Sequence, residues 1–216
     1  MSLEFNFTAY NEDIVIIGMK GSGKTYLANK MLQGFKNLNV VVYDFNFQFF
    51  DSHAVVIHTL EDLFSLYEQT NGGHYIFQPF DKSEQMFTKF CEWVFNRGNC
   101  VCMIDEVHQY VSKQRILKAY NDLILSGRPR GISVISISSR PQNLPNNALT
   151  NAKHIFAFKL NLESDIVFLE SWLGAQAWEL LPQEQRKKNQ QADMIPEHSF
   201  YYRDTTKGAG VIGKIT

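Results

Sequence analysis

Eight residues, Gly18-Met19-Lys20-Gly21-Ser22-Gly23-Lys24-Thr25, have the types and order of a phosphate-binding loop, G-x-x-x-x-G-K-[ST]. Glycines at 21 and 23 let successive backbone N–H groups turn toward one anion, which side chains there would obstruct. Lys24 is a mobile point charge long enough to reach the outer phosphates, and the Thr25 hydroxyl suits Mg²⁺. Residues Gly18, Lys20, Gly21, Ser22, Gly23, Lys24, Thr25 and Tyr26 are therefore the candidate contacts for ATP. A second feature follows an apolar run: Asn99-Cys100-Val101-Cys102-Met103-Ile104 ends in Asp105-Glu106. Asp105 is placed to complete a Mg²⁺ site with Thr25, and Glu106 to orient and deprotonate an attacking water. Farther on, Ser126-Gly127-Arg128-Pro129-Arg130-Gly131 sets two arginines in a rigid turn. They suit the stabilisation of phosphoryl charge across a subunit boundary; a solvated basic turn is the alternative reading. Ser139, in Ser139-Arg140-Pro141, gives the following strand a polar tip that could sense the γ-phosphate.

These groups need elements to hold them. Ile14-Val15-Ile16-Ile17 reads as a buried strand running into the loop, and a helix is expected from Lys24 to Phe35. That strand-loop-helix setting is the one the motif requires; a glycine turn serving packing alone would not need all of it. Val40 to Asp44, His74 to Gln78, Asn99 to Ile104, Ile132 to Ser139 and His154 to Leu160 read as further strands, with Val55-Val56-Ile57 a short one. Helices are expected over Leu60–Gln69, from Ser83 to Asn96 with Phe87, Phe90, Cys91 and Val94 on its buried stripe, and from Ile116 to Leu125 with Leu117, Tyr120, Ile124 and Leu125 inward. Shorter ones follow at Asn147–Asn151, Ser164–Trp172 and Ala175–Leu181. The aromatic stretch Asp44-Phe45-Asn46-Phe47-Gln48-Phe49-Phe50 either fills the core or serves the nucleotide or a neighbouring subunit. Ser199–Arg203 and Gly210–Ile215 form a closing hairpin. Residues 1–12 read as a loosely packed lead-in, and 183–191, with Arg186-Lys187-Lys188, as an exposed polar loop.

Composition narrows the field. With 216 residues, 44% of them apolar and 20% charged, the chain suits one soluble globular domain over 1–216. No apolar run reaches membrane-spanning length and no signal-peptide order opens the chain, so a cytoplasmic protein is expected, not an integral membrane one. Cys91, Cys100 and Cys102 lack metal-ligand spacing and read as buried thiols. The net charge of −1 gives no global attraction to a polyanion, so contacts to DNA must come from local charge repeated by assembly.

Taken in order, the loop at 18–25, Asp105-Glu106, the turn at 127–131, Ser138-Ser139-Arg140-Pro141 and Met194-Ile195-Pro196 through Ile215 resemble the FtsK–HerA group of P-loop ATPases. Within it the chain is most similar to genome-packaging ATPases of icosahedral viruses with an internal membrane. The resemblance implies an α/β, RecA-like (ASCE) fold: a mostly parallel central sheet flanked by helices, with a C-terminal β-hairpin, and the Ser139 strand between those of the loop and Asp105. It implies ATP hydrolysis with Mg²⁺, a ring, taken as a hexamer, with nucleotide at subunit boundaries, and double-stranded DNA in the pore. A capsid or portal partner and a place in the host cytoplasm or at the virion vertex follow from the same likeness. Lys24 and Thr25 carry over as phosphate and Mg²⁺ contacts, Asp105 as the metal-side carboxylate, Glu106 as the catalytic one, and Arg128 or Arg130 as the trans-acting arginine. Ser139 stands where relatives often have Gln, and Gln48 where they often have an acidic residue. A cellular or plasmid DNA translocase, a small-molecule phosphotransferase and a slow binding switch are the other readings; the absence of an arginine-rich lid weighs against the phosphotransferase.

Overall fold

Short apolar runs without polar alternation bury both faces, and parallel strands do the same. The computed structural model describes residues 12–69, 72–182, 195–196, 198–208 and 210–214. Strands β1 (Ile14–Ile17), β2 (Val40–Tyr43), β3 (Val55–Ile57), β4 (His74–Phe77), β5 (Cys100–Ile104), β6 (Ile132–Ser138) and β7 (His154–Ala157) pair in parallel. β8 (Ser199–Asp204) and β9 (Gly210–Lys214) complete the sheet as the expected antiparallel hairpin. The order is β3-β4-β2-β5-β6-β1-β7-β8-β9. The fold is thus the α/β class expected, and the Ser139 strand does lie between those of the loop and Asp105.

Alternation along the strands divides the core in two. Val15, Ile17, Val41, Tyr43, Cys102 and Ile104 point to one face, under α2 (Leu60–Gln69), α3 (Glu84–Arg97), α4 (Lys118–Ser126), α5 (Asn146–Asn151) and α6 (Glu163–Leu173). Ile14, Ile16, Val40, Val42, Val101 and Met103 point to the other, under α1 (Lys24–Gly34) and Phe200 of the hairpin. The α3 stripe Phe87, Phe90, Cys91 and Val94 is buried as expected, and Ser83 caps that helix by accepting the Met86 N–H at 3.1 Å. All three cysteines are buried free thiols, and burial raises Cys91 and Cys102 well above the ordinary thiol range.

Three local expectations change. α4 begins at Lys118, and its inward stripe is Ala119, Tyr120, Leu123 and Ile124, which turns Leu125 outward to 49% exposure. The segment read as a helix at Ala175–Leu181 is a 3-10 helix, Gly174–Leu180. β7 ends at Ala157; beyond it the Phe158 N–H still donates to the Ile17 carbonyl and the Lys159 carbonyl accepts the Met19 N–H, while the Leu160 N–H turns to the Leu180 carbonyl. The aromatic stretch divides: Phe49 is buried and Phe45 packs on the core, while Phe47 and Phe50 are exposed. Asp44 fixes it, accepting from the Gln48 and Phe49 N–H groups at 3.0 Å each and from Gln78 Nε2 at 2.8 Å. The lead-in at 1–11, the basic loop at 183–194 and Ile215 lie outside the described residues.

Phe90 stacks on Phe77 with ring centres 5.7 Å apart and meets Tyr43 edge-on at 5.0 Å. Phe90→Ala should therefore cost about 3–5 kcal/mol in urea unfolding, the range for a truncated core aromatic; a loss below about 1 kcal/mol would contradict this packing.

Candidate active site

The carboxyl ends of β1, β5 and β6 supply the site. After Ile17 the chain turns at Gly18, whose N–H donates to the Ser138 carbonyl at 3.2 Å and so ties the loop to β6. Gly21 and Gly23 take φ of 78° and 110°, a region costly for residues with a Cβ. Gly23 is the N-cap of α1 and no side chain caps that end, so the first-turn N–H groups remain for an anion. Ser22 Oγ is buried without a hydrogen-bond partner, a group that a bound phosphate would satisfy. Lys24 is 5% exposed, and its Nζ donates to the Met19 carbonyl at 3.0 Å. Burial lowers the Lys24 ammonium below its ordinary range, opposed by the fields of Glu106 and Asp105.

Asp105 follows β5 and is almost fully buried, with Asn46 Nδ2 donating to its Oδ2 at 3.2 Å. Burial, then the neighbouring Glu106 and Asp44 carboxylates, push it up to about 7, against the pull of Lys24 and Asn46. Asp105, whose charge acts on Lys24, and the partly buried Thr25 hydroxyl next to Lys24 in the chain offer oxygen donors only, the kind Mg²⁺ takes. Glu106 is held at φ 46°, ψ 42°, a left-handed conformation unusual for a residue with a side chain. Its Oε2 accepts from Ser139 Oγ at 3.0 Å and lies 3.1 Å from His108 Nδ1. Ser139 thus meets Glu106 directly, and His108, read in the sequence only as a neighbour, joins them.

A cavity of about 650 Å³ opens over the loop, lined by Lys20, Gly21, Gly23, Lys24, Thr25, Tyr26, Gln48, His198 and Lys214. Tyr26 is half exposed, with Lys30 Nζ 5.5 Å from its ring centre. His198 and Lys214 escaped the sequence reading because neither sits in a local motif. They arrive through the β8–β9 pairing, in which Ser199 faces Lys214.

Arg128 and Arg130 occupy a 3-10 turn, Arg128–Arg130, at the amino end of β6, and are exposed. Their neighbours are at the amino ends of other strands: the Arg130 carbonyl accepts from the Asn99 N–H at 2.9 Å, and Arg128 acts on Asp13, beside β1. The Arg130 guanidinium lies over the Phe95 ring at 4.4 Å. Within one protomer both arginines are therefore at the opposite end of the sheet from Lys24, Asp105, Glu106 and Ser139.

Comparison with known families matches residues 11–139 to the model described as AAA domain, more than half of the chain. The chain belongs to the AAA domain family. The matched segment holds the loop, Asp105-Glu106 and, as its last residue, Ser139. No curated protein matches this AAA domain protein. Among solved structures, it is similar to the genome packaging NTPase B204 of Sulfolobus turreted icosahedral virus 2 in complex with ATP-gammaS. The TM-score is 0.70 at 17% identity, over 95% of this chain and 98% of that one. B204 of Sulfolobus Turreted Icosahedral Virus, described as a DNA-packaging ATPase, aligns with TM-score 0.69 at 20% identity over 96% and 100%. The pCW3 conjugation coupling protein TcpA with ATPgS gives 0.55 at 15%, over 94% of this chain and 59% of TcpA. At these identities the likeness is one of fold. Among the described residues no helix is long and apolar enough to cross a membrane.

Asp105 links the site to stability. Its folded value near 7 exceeds the ordinary 3.8, so folding favours the protonated form; that stability is complete below about 4 and lost as pH rises through 7. Without nucleotide or metal, Asp105→Asn should be more stable than the native chain at pH 8 by roughly 1–4 kcal/mol, the difference closing toward pH 4. Urea unfolding across pH checks this; a variant less stable at pH 8 would contradict it.

Proposed function

We propose that this protein is an ATPase motor that works as a ring of copies, taken as a hexamer, and moves double-stranded DNA, its cargo being a viral genome driven into a capsid. The observation that carries the reading is the split of the machinery. Loop, carboxylates and Ser139 converge at one end of the sheet, while both candidate arginines sit at the other, where only a neighbouring copy can use them. The fold likeness to B204 supports the packaging role. The likeness to TcpA is the reason a plasmid-type DNA translocase stands as the second reading.

In the proposed cycle the first-turn N–H groups of α1 and the loop hold the phosphate chain, and Lys24 exchanges the Met19 carbonyl for the outer phosphates. Thr25 and Asp105 would hold Mg²⁺, which when bound withdraws charge from the phosphate oxygens. Glu106 accepts a proton from the attacking water, and Ser139, at the tip of β6, stands beside that water and the terminal phosphate. Arg128 or Arg130 of the adjacent copy stabilises the charge of the transferring group. DNA is gripped by its backbone charge without readout of sequence. A capsid or portal protein as docking partner, and work in the host cytoplasm or at the virion vertex, complete the proposal.

ATPase rate measured against added duplex DNA and across protein concentration tests this. Turnover per protomer should rise with both, and the DNA response should weaken with salt; a monomer indifferent to DNA would contradict it. Mixing Lys24→Ala protomers with Arg128→Ala or Arg130→Ala protomers should restore turnover for one pairing, because intact boundaries reform. No recovery in either mixture would place the arginines outside the site.

A further inference from the structure

Glu106 Oε2 is not held by Ser139 alone. Ser139 Oγ is also 3.3 Å from His108 Nε2, and the other ring nitrogen, Nδ1, is 3.3 Å from Ser138 Oγ. Ser138 Oγ in turn accepts the Arg140 N–H at 3.1 Å. Directions follow from counting protons. A carboxylate oxygen only accepts, so Glu106 Oε2 takes the single Ser139 hydroxyl proton, and His108 Nδ1, 3.1 Å from the same oxygen, faces it with an N–H and not a lone pair. In a neutral ring the lone pair is then on Nε2, beside Ser139 Oγ, and Ser138 Oγ accepts the Arg140 N–H. Ser139 and His108 thus end this chain of donors on one oxygen of Glu106. A neutral ring suits the surroundings, since burial lowers His108 below the ordinary imidazole range; Glu106 opposes this, and Lys24 and Arg140 add to it. Glu106 Oε1 makes no hydrogen bond among the described residues, so the anchor on Oε2 leaves Oε1 for water.

We propose that His108 is a positioning residue for hydrolysis: its Nδ1–H, beside the Ser139 hydroxyl, holds Glu106 Oε2 in the orientation that presents Oε1 to the attacking water. The inference rests on Glu106 being the water-activating group, as argued above. It gives the strained backbone at Glu106 a purpose, because a left-handed residue swings its side chain across to the tip of β6 where this chain of donors ends.

The test is steady-state ATPase kinetics on His108→Ala, Ser139→Ala, the double variant, His108→Asn and Glu106→Gln, with ATP-analogue binding measured separately. His108→Ala and Ser139→Ala should each lower kcat by about 10–100-fold, the cost of a misplaced catalytic group, with KM for ATP within about threefold. Because both hold the one oxygen, and losing either frees the carboxylate, the double variant should be no slower than the worse single one, within about threefold. His108→Asn, whose carboxamide N–H reaches the place of Nδ1–H, should recover most of the loss. A His108→Ala turnover within about twofold of the native chain, losses that multiply in the double variant, or a defect carried in KM would overturn the proposal. Should His108→Ala fail to fold, His108→Asn decides: a rate near native supports the proposal, and one as low as Ser139→Ala overturns it. Glu106→Gln separates the two levels. If it is inactive while His108→Ala is normal, only the role of His108 falls; if it hydrolyses ATP at the native rate, the reading of the site falls too.

Discussion

Parallel pairing at fixed register is the constraint from which the site follows. Ile104 of β5 pairs with Ser136 of β6, and Ser138 of β6 with Ile17 of β1. Three strands that are distant in sequence thereby end side by side, with β6 reaching two residues past its partner on β5. Asp105 and Glu106 leave β5 toward a tip of β6 that carries Ser138 and Ser139, and Gly18 leaves β1 bonded to the same tip. A slip of one residue in the β5–β6 pairing would turn Ser139 to the other face and separate it from Glu106, and one in the β6–β1 pairing would separate Gly18 from that tip. The buried strands forbid such a slip, since it would also exchange the two halves of the core.

Electrostatics then explains why the pocket suits an anionic ligand that arrives with a cation. Glu106 and Asp105 act on Lys24, the one buried ammonium among the described residues, and Asp44 adds its charge at Asp105. Asp44 spends its oxygens on the aromatic loop and Gln78, and among the described residues the Asp105 carboxylate has the Asn46 amide alone. The result is a carboxylate pushed toward neutrality and an ammonium turned back onto its own loop, two groups held away from the state they would adopt around a metal-bound triphosphate. Charge is stored in the pocket at a cost, and a ligand carrying both signs removes that cost.

Much of this was legible in the sequence because it was local. The eight-residue loop, the apolar run ending in Asp105-Glu106 and the alternating strand ending at Ser139 each carry their own signal, and the strands and main helices follow from apolar runs and helical stripes. What the sequence hid depends on pairing. His198 and Lys214 line the cavity only because β9 returns beside β8, and Asn46 meets Asp105 only because β2 neighbours β5. His108 was visible as a residue but not as a partner, since nothing local says that the tip of β6 closes on it. Leu125 was placed inward because apolar character is a weaker guide than the angular position of the α4 stripe.

The most direct test of the account is a structure with Mg²⁺ and a non-hydrolysable ATP analogue. The account predicts Lys24 Nζ displaced from the Met19 carbonyl onto the terminal phosphates, Thr25 and Asp105 at the metal, and Glu106 Oε1 within hydrogen-bond reach of a water in line with the γ-phosphate. A terminal phosphate lying away from Asp105 and Glu106, with Lys24 still on Met19, would contradict it.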